Sequence, residues 1–148
     1  MKTIVVGVDG SPGSQVAVEF AAREAAAHGA MVRLVSAWEV PPTVLSSGGV
    51  PLDIYDSFEA EAREMLADAA ARVRELEPAV DVEQRVVEGH AGNKLVDESE
   101  TADLVVIGRR GHGGVTEFLL GSISHQVADH ARCAVVIVPP AGASAGRS

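Results

Sequence analysis

The chain has 148 residues, 47% hydrophobic and 22% charged, with a formal net charge of −9 from 12 basic and 21 acidic side chains. That length suits one domain with a core of its own, needing neither disulfides nor a structural metal. The acidic balance excludes nucleic acid as the expected partner, because phosphate repels a net anion unless a basic face compensates, and Arg109–Arg110 is the longest basic run.

Aromatic residues are only 3% of the chain, so the core is expected to be aliphatic, and base-stacking platforms are scarce. The single cysteine, Cys133, lies in the apolar run RCAVVIVPP and reads as a small buried hydrophobe. One cysteine cannot pair within its own chain, and nothing points to an oxidising compartment. The opening MKTIVVGVDGS carries an apolar stretch too short for a signal peptide or a membrane span. These features predict a cytoplasmic protein with no membrane partner.

In chain order, Thr3–Asp9 is a β-branched apolar run ending in Asp-Gly-Ser, the pattern of a strand buried on both faces. Ser11-Pro12 then supplies a cap and a first-turn proline, and helix formers continue to Gly29. Val18, Ala22, Ala25 and Ala26 are assigned to its inner face. Met31–Trp38 is the second strand. Glu39–Leu52, with three prolines, two serines and two glycines, is a long loop, read equally as a lid or as disorder. A long amphipathic helix follows up to Pro78, with Phe58, Ala62, Met65, Leu66, Ala69 and Val73 on its apolar stripe.

Val80–Val86 alternates as a strand with one exposed face should, and a shorter helix covers Asn93–Glu100. Ala102–Gly108 is again a buried-type strand, Ser122–Ala131 a helix, and Cys133–Pro140 the fifth strand. The expectation is a single domain over 1–140 with a disordered tail over 141–148. Strands alternating with helices imply an α/β fold, an open parallel sheet covered by helices on both faces.

Ligands of such sheets bind beyond the carboxyl ends of strands, where the strand order reverses. Two strand ends carry unusual residues: Asp9-Gly10-Ser11, and the glycines at 108, 111, 113 and 114 beside Arg109 and Arg110. Glycines admit close backbone approach and expose N–H groups, and arginine suits phosphate. Gly121-Ser122 then opens a helix whose first turn, through Gln126, holds no acid, although that turn normally favours one. An unpaired helix start free of carboxylates suits an anion. Neither a Walker phosphate loop nor a third glycine for the dinucleotide fingerprint is present. His28, His90, His112, His125 and His130 are scattered and make no metal set.

Gly-x2-Gly-x9-Gly-Ser, filled by Gly108, Gly111, Gly121 and Ser122, resembles the ATP-binding signature of the universal stress protein family. IVVGVDGS, ADLVVIGRRGHGG and LLGSISHQVADHARCAVVIVPP extend the similarity over nearly the whole chain. The resemblance implies an adenine nucleotide alpha hydrolase-like sheet of order 3-2-1-4-5, with ATP between the first and fourth strand ends. It implies Asp9 beside the nucleotide, the backbone near Ala37 at adenine, and Gly108, Arg110 and Gly111 along ribose and phosphates. Gly121, Ser122, Ile123 and Ser124 would hold the phosphates, the serines through their hydroxyls, with Mg2+ as companion. It further implies a homodimer through the last strand, Ala134–Val138, whose apolar edge lacks protection. A slow ATPase, with Glu117 the nearest candidate to orient water, and a binder of cyclic AMP or another adenine ligand are the alternatives.

Overall fold

The computed structural model describes residues 1–46, 48–109 and 120–140. The elements are β1 (Thr3–Gly7), α1 (Pro12–His28), β2 (Met31–Trp38), α2 (Pro42–Leu45), α3 (Leu52–Leu76), β3 (Val82–Glu88), α4 (Ala91–Ser99), β4 (Leu104–Gly108), α5 (Ser122–His130) and β5 (Ala134–Val138). The five strands form one parallel sheet of order β3-β2-β1-β4-β5. Strand order therefore reverses at β1, which pairs with β2 on one side and β4 on the other.

Each face of the sheet has its own core. Ile4, Val6, Leu34 and Val106 pack against α1 and α3 on one face. Val5, Val35, Val105 and Ile107 pack with Leu95 of α4 and Val127 of α5 on the other. The central strands thus bury alternate residues on opposite faces, which explains their unbroken apolar sequence. Ala17, Ala21, Ala22 and Ala25 form much of the buried face of α1. Ala26, assigned to that face from sequence, is exposed.

Ser11 caps α1 by accepting the Ser14 N–H at 3.2 Å, and Gly29 ends it in the left-handed conformation (φ 65°), as a side chain without a β-carbon allows. The loop of 39–52 contains the single turn of α2, and Trp38 packs edge-on against Tyr55 of α3 with ring centroids 4.8 Å apart. Tyr55 also donates its phenol O–H to Glu88. Cys133 is half-buried and unpaired. Burial raises its thiol pKa, helped by the Asp103 carboxylate.

Several boundaries differ from expectation by one or two residues: β1 ends at Gly7, β4 begins at Leu104, α5 ends at His130 and β5 covers only Ala134–Val138. β3 runs over Val82–Glu88 rather than Val80–Val86, and Val80 is buried ahead of it. Two of its polar residues, Glu83 and Arg85, though each more than a third exposed, join Arg33 of β2 and Glu98 of α4 in one ionic network. α4 begins at Ala91, before the expected Asn93, behind a His90 N-cap that makes no side-chain capping bond. Residues 141–148, expected as a disordered tail, lie outside the described residues. Among the described residues, no helix is long and apolar enough to cross a membrane.

Candidate functional site

β1 and β4 end side by side, and the chain leaves them in different directions. After β1 it turns through Asp9-Gly10-Ser11. Asp9 accepts the Ser11 N–H on Oδ1 at 2.9 Å, an Asx-type turn. Gly10 takes φ +78°, and a β-carbon there would press on Met65 Sδ at 2.7 Å. This turn swings α1 back across the sheet and sets its first residues against the end of β4. A β-carbon on Gly108 would lie 2.8 Å from the carbonyl carbon and oxygen of Gly13. Gly108 is thus demanded by the packing of protein on protein.

The opening of α5 is bound to the same point. Gly121 N–H donates to the Arg109 carbonyl at 2.8 Å, and His125 N–H returns to the Gly121 carbonyl at 3.0 Å, starting the helix. Ser124 is buried, and its hydroxyl bridges the carbonyls of Gly108 and Arg109 at 2.7 and 2.8 Å. Its proton is engaged on backbone, so Ser124 holds the helix start against β4. Gly121 makes no side-chain cap, and no acid stands in the first turn.

Between these ends opens a cleft of about 550 Å³, counting the space continuous with solvent. Its lining mixes apolar residues, Val35 and Ala37 of β2, Ala91 and Leu95 of α4, Ile107 of β4 and Ile123 of α5, with the polar residues Asp9, Ser11, Ser14 and Ser124 and the backbone of Gly108. The cleft therefore offers contacts both to an apolar group and to a polar or charged one.

Part of the apolar lining depends on the placement of α4. A β-carbon on Gly7 would approach Leu95 Cδ1 to 2.9 Å, so that helix lies close over β1. Its other end is fixed by Glu98, nearly buried, which accepts from Arg85 at 2.8 and 2.9 Å and from Arg33 at 3.2 Å. Arg33 also bonds Glu83 at 2.9 Å, and this bond holds the Glu83 carboxyl below its usual range, against a partial opposing effect of burial. The hydrogen bond to Glu98 raises the pKa of Arg85.

A second groove, between α1 and α3, is lined by Glu19, Glu61 and Asp68 with Arg72. Arg72 is already bonded to Glu19 at 2.7 and 2.9 Å. That groove has the wrong charge for a phosphate, whereas the α5 start has the right one.

Of the residues singled out from sequence, Asp9, Ala37, Gly108, Ile123 and Ser124 line the cleft together. Gly121 and Ser122 stand beside it as the cap and first residue of α5. Arg110 and Gly111 lie outside the described residues, as do His112 and Glu117. Sequence reasoning missed Ser14 and the α4 pair Ala91 and Leu95 as cleft residues. The Ser-x-x-Ser spacing directly after the first strand was the available signal for the serine. α4 offered none, since its lining residues look like any amphipathic helix.

Comparison with known proteins places these features. A universal stress protein of Mycobacterium tuberculosis is 39% identical over 134 residues, covering 90% of this chain and 44% of the relative. The chain thus spans less than half the length of that relative. The crystal structure of a universal stress protein in complex with cAMP has a TM-score of 0.69 and 32% identity, covering 95% of this chain and 98% of the other. Universal stress protein UspA from Lactobacillus plantarum shares the fold, with a TM-score of 0.78 at 22% identity over 93% of this chain and 97% of its own. The model of the universal stress protein family matches residues 1–139, and the chain belongs to that family.

Proposed function

We propose that this chain is a cytoplasmic stress-response protein that binds an adenine nucleotide, ATP with Mg2+, at the carboxyl ends of β1 and β4. The observation that carries the reading is the start of α5: backbone-capped, free of acids in its first turn, and set at the edge of a cleft lined by apolar as well as polar residues. Helix starts of this kind attract phosphate through their N–H groups and dipole. Adenine would lie against Val35, Ala37 and Leu95, meeting backbone near Ala37. Phosphates would meet Gly121, Ser122 and Ile123, and Ser124 would act by positioning them. Arg110 and Gly111 are proposed along the phosphates from the family signature alone. Among the described residues no group of three or more His, Cys, Asp or Glu could hold a metal ion. Mg2+ would be held through phosphate oxygens and water, its common mode.

The chain is further proposed to form a homodimer through β5, which among the described residues pairs only with β4 and has an exposed start at Ala134. A second reading, cyclic AMP as ligand, is favoured by the 32% identical structure described with that nucleotide. A helix start that serves three phosphates serves one. The test is a calorimetric titration of nucleotide-stripped protein with ATP and Mg2+, then with cyclic AMP. Saturable heat with ATP, one site per chain, supports the first reading. Heat with cyclic AMP alone keeps the cleft and changes the ligand, and no heat with either removes both.

A further inference from the structure

The groove between α1 and α3 holds about 1050 Å³, counting the space continuous with solvent. Its lining is graded with depth. Val8 and Val18 are 6% and 2% exposed, Met65 and Ala69 are half-buried, and Glu61 and Asp68 are exposed. Apolar surface therefore lies deep in the groove, and carboxylates stand at its rim. Glu61, Met65, Asp68 and Arg72 follow one another at helical spacings along α3, so they share one face of that helix. Glu61 and Asp68 are two turns apart, about 10 Å along the axis, with Met65 between them.

The charges of this face are unevenly matched. Arg72 is met by Glu19 at 2.7 and 2.9 Å and by Glu75 at 3.2 Å. Among the described residues, Glu61 and Asp68 form no ion pair. A cation is their complement, and the geometry selects its kind. A metal ion needs oxygens converging on one point, which two carboxylates about 10 Å apart along a helix do not provide. A compact cation would also leave the apolar depth unfilled. A chain of methylenes with an ammonium group towards each carboxylate satisfies both, since alkyl stems lie along apolar surface while their charged ends reach outward. We infer that this groove binds a linear polyamine, its ammonium groups at Glu61 and Asp68 and its methylenes over Val18, Met65 and Ala69. Glu61 and Asp68 line the groove and not the first cleft, so the inference does not depend on the nucleotide reading.

The test is a calorimetric titration of the full chain with spermidine at low ionic strength, where exposed charges are least screened. Glu61→Gln with Asp68→Asn should weaken binding about fivefold or more, the combined effect of two exposed ion pairs. Asp81→Asn with Glu100→Gln removes the same charge at exposed positions that line neither cavity, and should change affinity less than about twofold. Equal losses in the two double variants would reduce the effect to net charge and overturn the site. Undiminished affinity in the groove variant, or no saturable heat with wild type, would overturn it too. Two further cations separate the chemistry. Mg2+ at equal concentration should not displace spermidine, and a trilysine peptide should bind more weakly, because its peptide groups find no partners in the apolar depth. Displacement by Mg2+ would make the groove a counterion surface, and tighter binding of trilysine would assign it to a basic segment of a protein. Either result overturns the polyamine assignment.

Discussion

Gly108 at the end of β4 and Gly13 in the first turn of α1 lie so close that a β-carbon on Gly108 would sit 2.8 Å from the Gly13 carbonyl. The contact is backbone on backbone, so neither side can yield by rotating a side chain. It brings the start of α1 to the mouth of the cleft.

Gly108→Ala should therefore destabilise the fold by about 1–3 kcal/mol, the usual cost of overpacking. The loss should appear as a lower urea midpoint with an unchanged slope. A midpoint equal to wild type would show that α1 has room to move, and the packing account of this glycine would fail.

Gly121→Asp separates folding from binding. A carboxylate at the N-cap is favourable to a helix, by about 0.3–1 kcal/mol, so thermal stability should hold or rise. ATP affinity should fall at least about tenfold, roughly 1.4 kcal/mol, because the new charge occupies the anion position. Unchanged affinity in the folded variant would move the phosphates away from α5.

The ionic network predicts a pH dependence with a definite sign. Arg33 holds the Glu83 carboxyl below its usual range, so its stabilisation is present above the unfolded value, about 4.3. It is lost as pH falls through the depressed folded value. Glu83→Gln should be less stable than wild type at neutral pH, and the two denaturation midpoints should converge in acid. A constant gap from pH 7 to pH 2 would mean that the charge of Glu83 contributes nothing.

The proposed pairing through β5 predicts a dimer by light scattering at micromolar concentration. Ala134→Lys, at the exposed start of that strand, should shift the population towards monomer, since edge lysines oppose strand pairing. A wild-type monomer would rule the interface out.

The doubly covered parallel sheet was readable because runs such as Ile4–Val8 and Leu104–Ile107 are continuously apolar, a pattern that a doubly covered strand imposes, whereas its strand order came from the family resemblance alone. β3 was misplaced for an equally physical reason. Alternation marks which residues share a face, but it does not reveal that Glu83 and Arg85 meet Glu98, a partner on another element. The reading of Gly108 as room for a ligand missed Gly13, because close approach between distant segments leaves no local trace. Ser11 was recognised as a cap, but the burial of its hydroxyl beside that of Ser14 depends on how α1 lies over β4. The start of α4 was placed late because His90 makes no side-chain capping bond.

The hydrogen bond from Gly121 to the Arg109 carbonyl brings the start of α5 back to the end of β4. Ser124, gripping the carbonyls of both Gly108 and Arg109, fastens the same junction a second time. Three bonds to two consecutive carbonyls leave the first turn of α5 little freedom to slide or rotate, so the N–H groups at that helix start keep a fixed aim relative to the sheet.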